Sequence, residues 1–385
     1  MIYMDTAATT RVKEEVLEAM LPYFCEFYGN PSSVYSSGRN ARKAIEKSRR
    51  SIAQYFDCDA REIYFTSGGC EADSWALMNS AYSGGKRRTI ITTEIEHKAI
   101  LNGVKRLRQQ GFTIKYLPVD STGHAAASEL ERLIDDDTAL VSVMAANNEV
   151  GTLQDIDEMC QIAHAHGALF HTDAVQAVSA FDWHLHAQKI DMLSISGHKL
   201  HAPKGIGMLY VRDNMDLNSL IFGGSQERGR RGGTENVPGI VGLGKAIELI
   251  KENNQTIENT KSKLTERLEN GILGTIPGSN LNGPDGSRRA SGIVNIAFDG
   301  VDGEALLFNL DLKGVQVSAG SACTSGSLDA SHVLMAMGKT RDEAHASIRF
   351  SLSEENTAEE VDTVIQIVCE TVNRLRSTKR ILSEV

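Results

Sequence analysis

The sequence predicts an α/β protein in which a mostly parallel, seven-stranded sheet lies between helices, together with a smaller α+β domain. Between about residues 60 and 212, short apolar, β-branched runs alternate with helical stretches, the pattern of a parallel sheet covered on both faces. Beyond this region the helical stretches become longer and more charged. The chain has 385 residues, 41% of them hydrophobic, which is enough for a large core and a second, smaller one.

The candidate strands of the large sheet are short apolar segments. They are Glu62–Thr66, Thr89–Thr93, Thr113–Leu117, Leu140–Ala145, Leu169–Thr172, Met192–Ser196 and Gly207–Val211. One helix between them has clear ends, because Asp155 can cap its start and Gly167 follows it as a left-handed stop.

The C-terminal part predicts the smaller domain. Its expected elements are helices around 239–272 and 357–376 and strands near 292–298 and 346–352. Thr357 and Glu360 have the spacing of a capping box at the start of the last helix. We therefore expect a large domain at 15–255, and a small domain made of 1–14 and 256–385.

The composition argues against several classes of protein. A net charge of −10 disfavours a surface that binds nucleic acid directly. The six cysteines show no CxxC pair, and no apolar run is long enough to span a membrane. The start of the chain lacks the features of a signal peptide, so we expect a reducing, cytoplasmic setting. Only Cys160 and His164 have the spacing of metal ligands on one helix face, and no metal site is predicted.

Two strand ends could face a ligand. The segment FTSGGCE brings Gly68 and Gly69 to the start of a helix, where backbone N–H groups and the helix dipole favour a phosphate. An ordinary tight turn is the alternative. In HTDAVQ, Asp173 follows a buried strand, and ligands of open α/β sheets bind beyond the carboxyl ends of the strands. Capping of the next helix is the other explanation for Asp173.

Three more residues are candidates for reactive or binding groups. Lys199 follows a strand in SGHK, where an amine with a lowered pKa can form a Schiff base with an aldehyde cofactor, although it could also be a surface charge. Cys323 lies among small residues, which predicts either a reactive thiol in an exposed loop or an incidental surface cysteine. Arg349, inside an alternating strand, could bind a substrate carboxylate or form a salt bridge.

Together these segments resemble the cysteine desulfurase family (NifS/IscS-like) among the fold-type I enzymes that use pyridoxal 5'-phosphate (PLP). The resemblance covers nearly the whole chain, in the motifs YMDTAATT, YGNPSS, FTSGG, EHKAI, NNEVG, HTDAVQ, SGHK, ERGRRGGTENVPGIVG, SAGSACTSGS and SIRFSL. It implies a homodimer that converts L-cysteine to L-alanine. The sulfur would pass to Cys323 as a persulfide, and then to an acceptor such as an iron–sulfur scaffold protein or an RNA-thiolation enzyme.

The resemblance also implies roles for single residues. Lys199 would hold PLP and carry protons, His97 would stack over the cofactor ring, and Asp173 would pair with the ring nitrogen. The other cofactor contacts would come from Gly69, Cys70, Asn148, Gln176, Ser196, His198 and, from the second subunit, Thr234. Asn148 and Arg349 would bind the substrate carboxylate.

Three positions depart from the family pattern. Cys70 stands where threonine is usual, Ser74 where asparagine is frequent, and Tyr35 where histidine is common. A thiol is a weaker donor than a hydroxyl, which weakens a phosphate contact by ~1 kcal/mol. Two other functions stay open: a lyase for selenocysteine or another sulfur amino acid, which would not need Cys323, and a PLP-binding sulfur carrier without turnover.

Overall fold

The computed structural model describes residues 1–83, 85–213, 215–319 and 330–383, with side chains as far as residue 378. Cys323, predicted as the sulfur-accepting residue, lies outside the described residues.

Helices and strands alternate along most of the described chain. The helices are α1 Glu14–Met20, α2 Pro22–Cys25, α3 Ser36–Tyr55, α4 Gly69–Ser83, α5 Lys98–Gln109, α6 Ala127–Leu133, α7 Ile156–Ala165, α8 Leu185–Gln188, α9 Val237–Thr275, α10 Gly303–Leu312, α11 His332–Ala336, α12 Arg341–His345 and α13 Ala358–Ser383. The strands are β1 Ile2–Tyr3, β2 Ile63–Thr66, β3 Thr89–Thr93, β4 Thr113–Leu117, β5 Thr138–Ser142, β6 Leu169–Asp173, β7 Met192–Ser196, β8 Gly207–Val211, β9 Ser279–Asn282, β10 Ile293–Phe298, β11 Val315–Gln316, β12 Ser318–Ala319 and β13 Ser347–Ser351.

The central sheet has seven strands in the order β2-β8-β7-β6-β5-β3-β4. All neighbouring pairs are parallel except those of β8, which runs antiparallel to both β2 and β7. The predicted α/β class with a mostly parallel seven-stranded sheet is confirmed.

Successive residues of the central strands face two different apolar layers. Leu140 packs with α4 and α5 on one face, whereas Val141 packs with α3, α7 and the first half of α9 on the other. This alternation follows from the two-residue period of a strand. Helices therefore cover the sheet on both sides, as its near-continuous apolar strands require.

A second, antiparallel sheet has the order β12-β13-β10-β9. Its core includes α10, α13 and the second half of α9, and Met4 joins it from the N-terminal segment. Helix α9 thus contributes to both cores and runs through the predicted 255/256 boundary. The two domain ranges stay a prediction.

Several element ends were predicted correctly and others were not. Gly167 follows α7 with a φ of +66°, and Thr357 and Glu360 exchange both bonds of a capping box. The predicted cap of α7 is wrong, because the Asp155 carboxylate makes no cap bond and lies 2.9 Å from His124 Nε2 instead. Strand β5 begins and ends earlier than predicted, at Thr138 and Ser142. Among the described helices, none is long and apolar enough to cross a membrane.

Candidate active site

A cavity of about 320 Å³ opens at the carboxyl ends of the central parallel strands. Ten of its lining residues are those predicted above: Gly69, Cys70, His97, Asn148, Asp173, Gln176, Ser196, His198, Lys199 and Arg349. The fold therefore brings together, from separate elements, nearly every predicted site residue that it describes. Thr234 is exposed and does not line this cavity in the single chain.

Asp173 is the last residue of β6 and is almost fully buried. Its Oδ1 accepts a hydrogen bond from the Val175 N–H at 2.9 Å, so the carboxylate is fixed in direction. Burial raises the pKa of Asp173, whereas interactions with His97 and Lys199 oppose that rise. A buried carboxylate of this kind is suited to a cationic partner in the cavity.

Lys199 ends a one-turn 3₁₀ helix that follows β7. Its Nζ donates to two backbone carbonyls of the N-terminal segment, that of Ala7 and that of Ala8, the latter at 2.7 Å. The Gln176 side-chain amide donates to the same Ala7 carbonyl at 2.9 Å. The TAATT stretch of the first motif therefore holds the amine at the cavity wall.

His97 is the N-cap residue of α5, and its Nδ1 accepts from the Ala99 N–H at 3.2 Å. Burial lowers the pKa of His97, with smaller lowering effects from Lys199 and Lys98 and an opposing effect from Asp173. The imidazole is therefore held neutral at neutral pH, the form that can accept a proton.

The start of α4 lies beside the cavity. A Cβ atom added at Gly69 would lie 3.0 Å from Val175 Cγ2, so a side chain at this position would crowd Val175. Cys70 follows in the first turn, and buried Ser196 lies at the facing strand end. His198 Nδ1 is 3.2 Å from Thr9 Oγ1, and burial, with Lys199 next, lowers the pKa of His198 to about 4.

Arg349 reaches the opposite side of the cavity from β13 of the second sheet. Its Nη2 binds Asp5 Oδ1 at 2.7 Å, and its Nη1 donates to the Asn148 carbonyl at 2.9 Å. The salt-bridge explanation is therefore correct for one guanidinium nitrogen. Within the described residues Arg349 Nε is buried without a hydrogen-bond partner.

Sequence reasoning missed a group of buried polar residues below the cavity. Asp73, on α4, lines the cavity, and its Oδ1 lies 3.8 Å from His171 Nε2. His171 is held between Ser142 at 2.9 Å and Ser194 at 3.0 Å. Burial lowers the pKa of His171 to about 3, so this ring is neutral. The only signal in the sequence was that His171 and Asp173 share one strand face.

A second polar cluster lies outside the cavity lining. Asp59, Glu62 and His186 offer side-chain atoms within 4.8 Å of one another. Glu62 accepts hydrogen bonds from the Asp59 and Asp213 N–H groups, and its Oε2 lies 2.6 Å from His186 Nε2. This carboxylate is already used as the cap of a 3₁₀ turn, and no metal site is proposed there.

Comparison with known proteins gives one consistent result. The aminotransferase class-V family model matches residues 2–364. A curated relative, the cysteine desulfurase IscS of Clostridium botulinum, is 47% identical over 97% of this chain and 95% of its own length. A second, cysteine desulfurase IscS of Methanosarcina thermophila, is 48% identical over 98% of this chain and 93% of its own.

A solved structure of a NifS-like protein superposes with a TM-score of 0.91, at 40% identity, over 97% of this chain and all of that one. Since the family model and the relatives each cover nearly the whole chain, the protein belongs to the aminotransferase class-V family, in its cysteine desulfurase (NifS/IscS-like) group.

Proposed function

We propose that this protein is a PLP-dependent cysteine desulfurase that converts L-cysteine to L-alanine and takes the sulfur onto Cys323 as a persulfide. The observation that carries the proposal is that Lys199, His97, Asp173 and Arg349 line one cavity although they come from four separate elements. Two relatives that are close to half identical over almost the full chain are named cysteine desulfurase.

The residues around the cavity fit PLP. Asp173 is a buried carboxylate suited to a protonated ring nitrogen, and the glycine turn before α4 leaves room for a phosphate. The proposed phosphate contacts are Gly69, Cys70, Ser196 and His198, with Gln176 and Asn148 nearer the ring. Lys199 would hold the cofactor covalently. Bound PLP would supply an electron sink for the negative charge that develops at the substrate Cα.

The side chains of this chain would divide the remaining work. The Arg349 guanidinium and the Asn148 side chain would bind and orient the substrate carboxylate. Lys199 Nζ, held at the Ala7 and Ala8 carbonyls, would move the proton of the substrate Cα. His97, neutral because of its burial, can accept a proton close to the same amine.

Sulfur transfer would take place at Cys323. Its thiolate Sγ attacks the sulfur of the bound cysteine, so that an S–S bond forms while the substrate C–S bond breaks. The electron pair of the broken bond stays with the carbon fragment, which takes up a proton and leaves as alanine. The enzyme keeps the sulfur as a persulfide, without any outside oxidant.

The proposal extends to the partners. A homodimer would let Thr234 of the partner subunit reach the phosphate, because Thr234 is exposed and away from the cavity of its own chain. The persulfide would pass to an acceptor such as an iron–sulfur scaffold protein or an RNA-thiolation enzyme. A reducing cytoplasm suits this chemistry.

Mass spectrometry of the PLP-loaded protein after brief exposure to L-cysteine tests the proposal. We expect one added sulfur atom that reductant removes, mapped to Cys323, together with released alanine. Cys323→Ser should abolish both, and Lys199→Ala should abolish the absorbance of the bound cofactor as well. Alanine production that survives Cys323→Ser would instead favour the lyase. If the PLP-loaded parent protein forms neither the persulfide nor alanine, the desulfurase proposal is refuted.

A further inference from the structure

Helix α11 follows the segment that carries Cys323, and two side chains at its start bind residues that are next to Asn148 and His97 in the chain. Ser331 caps α11 by accepting from the Leu334 N–H at 3.2 Å. The same hydroxyl donates to Glu149 Oε2 at 2.5 Å. His332 Nε2 lies 3.0 Å from the backbone carbonyl of Glu96, the residue before His97.

Glu149 belongs to a backbone stretch that is fixed on both sides. Asn147 Oδ1 accepts from the Glu149 N–H at 2.9 Å, and the Asn295 side-chain amide donates to the Glu149 carbonyl at 3.2 Å. The residue between Asn147 and Glu149 is Asn148, and its carbonyl accepts a hydrogen bond from Arg349. Asn148 and Arg349 are the proposed substrate-binding side chains, so Glu149 is joined directly to the substrate end of the cavity.

Glu149 is 3% exposed, and none of the proposed cofactor or substrate contacts uses its carboxyl group. Burial raises the pKa of Glu149 to about 7, against lowering effects from the Ser331 hydrogen bond, Arg349 of β13 and Lys98 of α5. Arg349 is in turn paired with Asp5. A helix cap alone needs no buried carboxyl group, because the Ser331 hydroxyl already satisfies the helix N–H.

We propose that the Glu149–Ser331 hydrogen bond is a positioning contact for sulfur transfer, which fixes the C-terminal end of the Cys323 segment relative to Asn148 and Arg349. This inference rests on the proposed function. Glu149 and Ser331 are positioning residues, since both act through the placement of other groups. Both partners of the contact are described residues, and Glu149 follows Asn148 directly in the chain.

The first test compares substitutions at two helix caps in the PLP-loaded protein. Ser331→Ala removes the contact, Ser331→Thr retains a hydroxyl, and Thr340→Ala removes the matched cap of α12, which Thr340 shares with Glu343 rather than with the site. The readouts are the rate of persulfide formation on Cys323 after rapid quenching, the absorbance change on L-cysteine binding, and the thermal midpoint.

We expect Ser331→Ala to slow persulfide formation by about tenfold, the effect of losing a hydrogen bond to a charged group. Its absorbance change on L-cysteine binding should stay as in the parent, and Ser331→Thr should restore the rate. Thr340→Ala should lower the thermal midpoint as Ser331→Ala does, but without slowing persulfide formation.

The second test uses Glu149→Gln, which keeps an acceptor for Ser331 and removes the ionisable group. The ratio of the parent rate to the Glu149→Gln rate should rise as the pH rises through about 7, because the charged carboxylate is the stronger acceptor. The comparison with Glu149→Gln tests the proposed positioning contact even if Ser331→Ala does not fold.

Three results would overturn the inference. The first is a persulfide-formation rate in folded Ser331→Ala that equals that of the parent. The second is a Thr340→Ala variant that is slowed as much as Ser331→Ala. The third is a ratio of the parent rate to the Glu149→Gln rate that does not change with pH. Each of them leaves the desulfurase function standing, since the parent still forms the persulfide. A parent protein that forms no persulfide would overturn the proposed function, and this inference with it.

Discussion

At the scale of single residues, three buried carboxyl groups, of Asp73, Glu96 and Asp173, interact with one another next to the cavity. Burial raises the pKa of each, and the repulsion between them means that they cannot all be charged at neutral pH. Of the three, only Asp173 has its pKa lowered by interactions with His97 and Lys199. The negative charge therefore belongs on Asp173, and Asp73 keeps its proton.

The proton on Asp73 predicts a pH-dependent gain in stability for Asp73→Asn. The folded-state pKa of Asp73 lies well above its ordinary value, so the stability contribution of this group is complete below about pH 3.9 and is lost as the pH rises toward the folded pKa. The amide introduced by Asp73→Asn has the same shape but does not ionise, so its contribution to stability does not fall as the pH rises. As the pH rises, the free energy of unfolding of Asp73→Asn should increase relative to that of the parent protein, by at most about 1.4 kcal/mol per pH unit.

Urea unfolding of the cofactor-free protein at several pH values between about 4 and 8 measures this difference. Asp136→Asn serves as the control, because Asp136 is exposed on the surface. A difference between Asp73→Asn and the parent that stays constant with pH would contradict the assignment of the proton to Asp73.

Motifs predicted ten of the residues that line the cavity, but not Asp73 or the neighbouring Glu149. Gly69, His97, Asp173 and Lys199 stand at strand ends or helix starts, positions that a sequence pattern identifies. The importance of Asp73 and Glu149 comes from complete burial and from partners far away in the sequence, such as Ser331, 182 positions from Glu149. No local spacing carries that information.

At the scale of elements, the turn that contains Glu227 is fixed by a buried ion pair. Glu227 and Arg228 have left-handed φ angles of +44° and +59°, which are unfavourable for side chains of this size. The Glu227 carboxylate accepts from both Arg49 Nη atoms, at 2.7 and 2.8 Å, and from the Phe65 N–H at 2.9 Å. These bonds join the turn to β2 and α3 and offset its backbone strain.

Glu227→Gln should therefore destabilise the protein by about 3 kcal/mol, because it leaves the Arg49 guanidinium buried without a counter-charge. The double variant Arg49→Met/Glu227→Met should recover most of this loss, since no buried charge remains. Denaturant unfolding of the single and double variants gives the coupling between the two residues. Additive effects of the two substitutions would show that the pair does not act as a unit.

Helix and strand positions were predicted well wherever the apolar period was regular, and poorly where side chains compete for partners. Met192–Ser196 and Gly207–Val211 have the predicted bounds. The cap of α7 was mispredicted because Asp155 pairs with His124, a residue thirty-one positions away. A capping rule considers only the residues around the helix start, so it does not account for a partner that is distant in the sequence.

At the scale of the whole molecule, a run of large apolar side chains lies exposed near the N-terminus. Phe24, Tyr28, Val34 and Tyr35 are all more than half exposed, and Phe222 is 88% exposed. Exposed apolar surface of this extent is typical of a protein interface. A second copy of the chain is the partner that the proposed function requires, because Thr234 lies outside the cavity of its own subunit.

We expect Tyr28→Asp combined with Val34→Asp to convert a dimer to monomers in sedimentation velocity, because two charges would be buried without partners. The monomer should keep its far-UV circular dichroism and bind PLP more weakly, since it lacks Thr234 of the partner subunit. Phe308→Asp is the matched control, as Phe308 is 67% exposed on α10 of the second core. A monomeric parent protein, or a dimeric double variant, would contradict the proposed assembly.

The length of α9 has a consequence for how the two cores move relative to each other. Its 39 residues make one rod of roughly 58 Å, whose first half packs in the core of the central sheet and whose second half packs in the core of the second sheet. Lys199 follows a strand of the first core and Arg349 lies in the second. Any rotation of one core against the other must bend this shared rod, so its stiffness resists changes in the distance between the Lys199 amine and the Arg349 guanidinium.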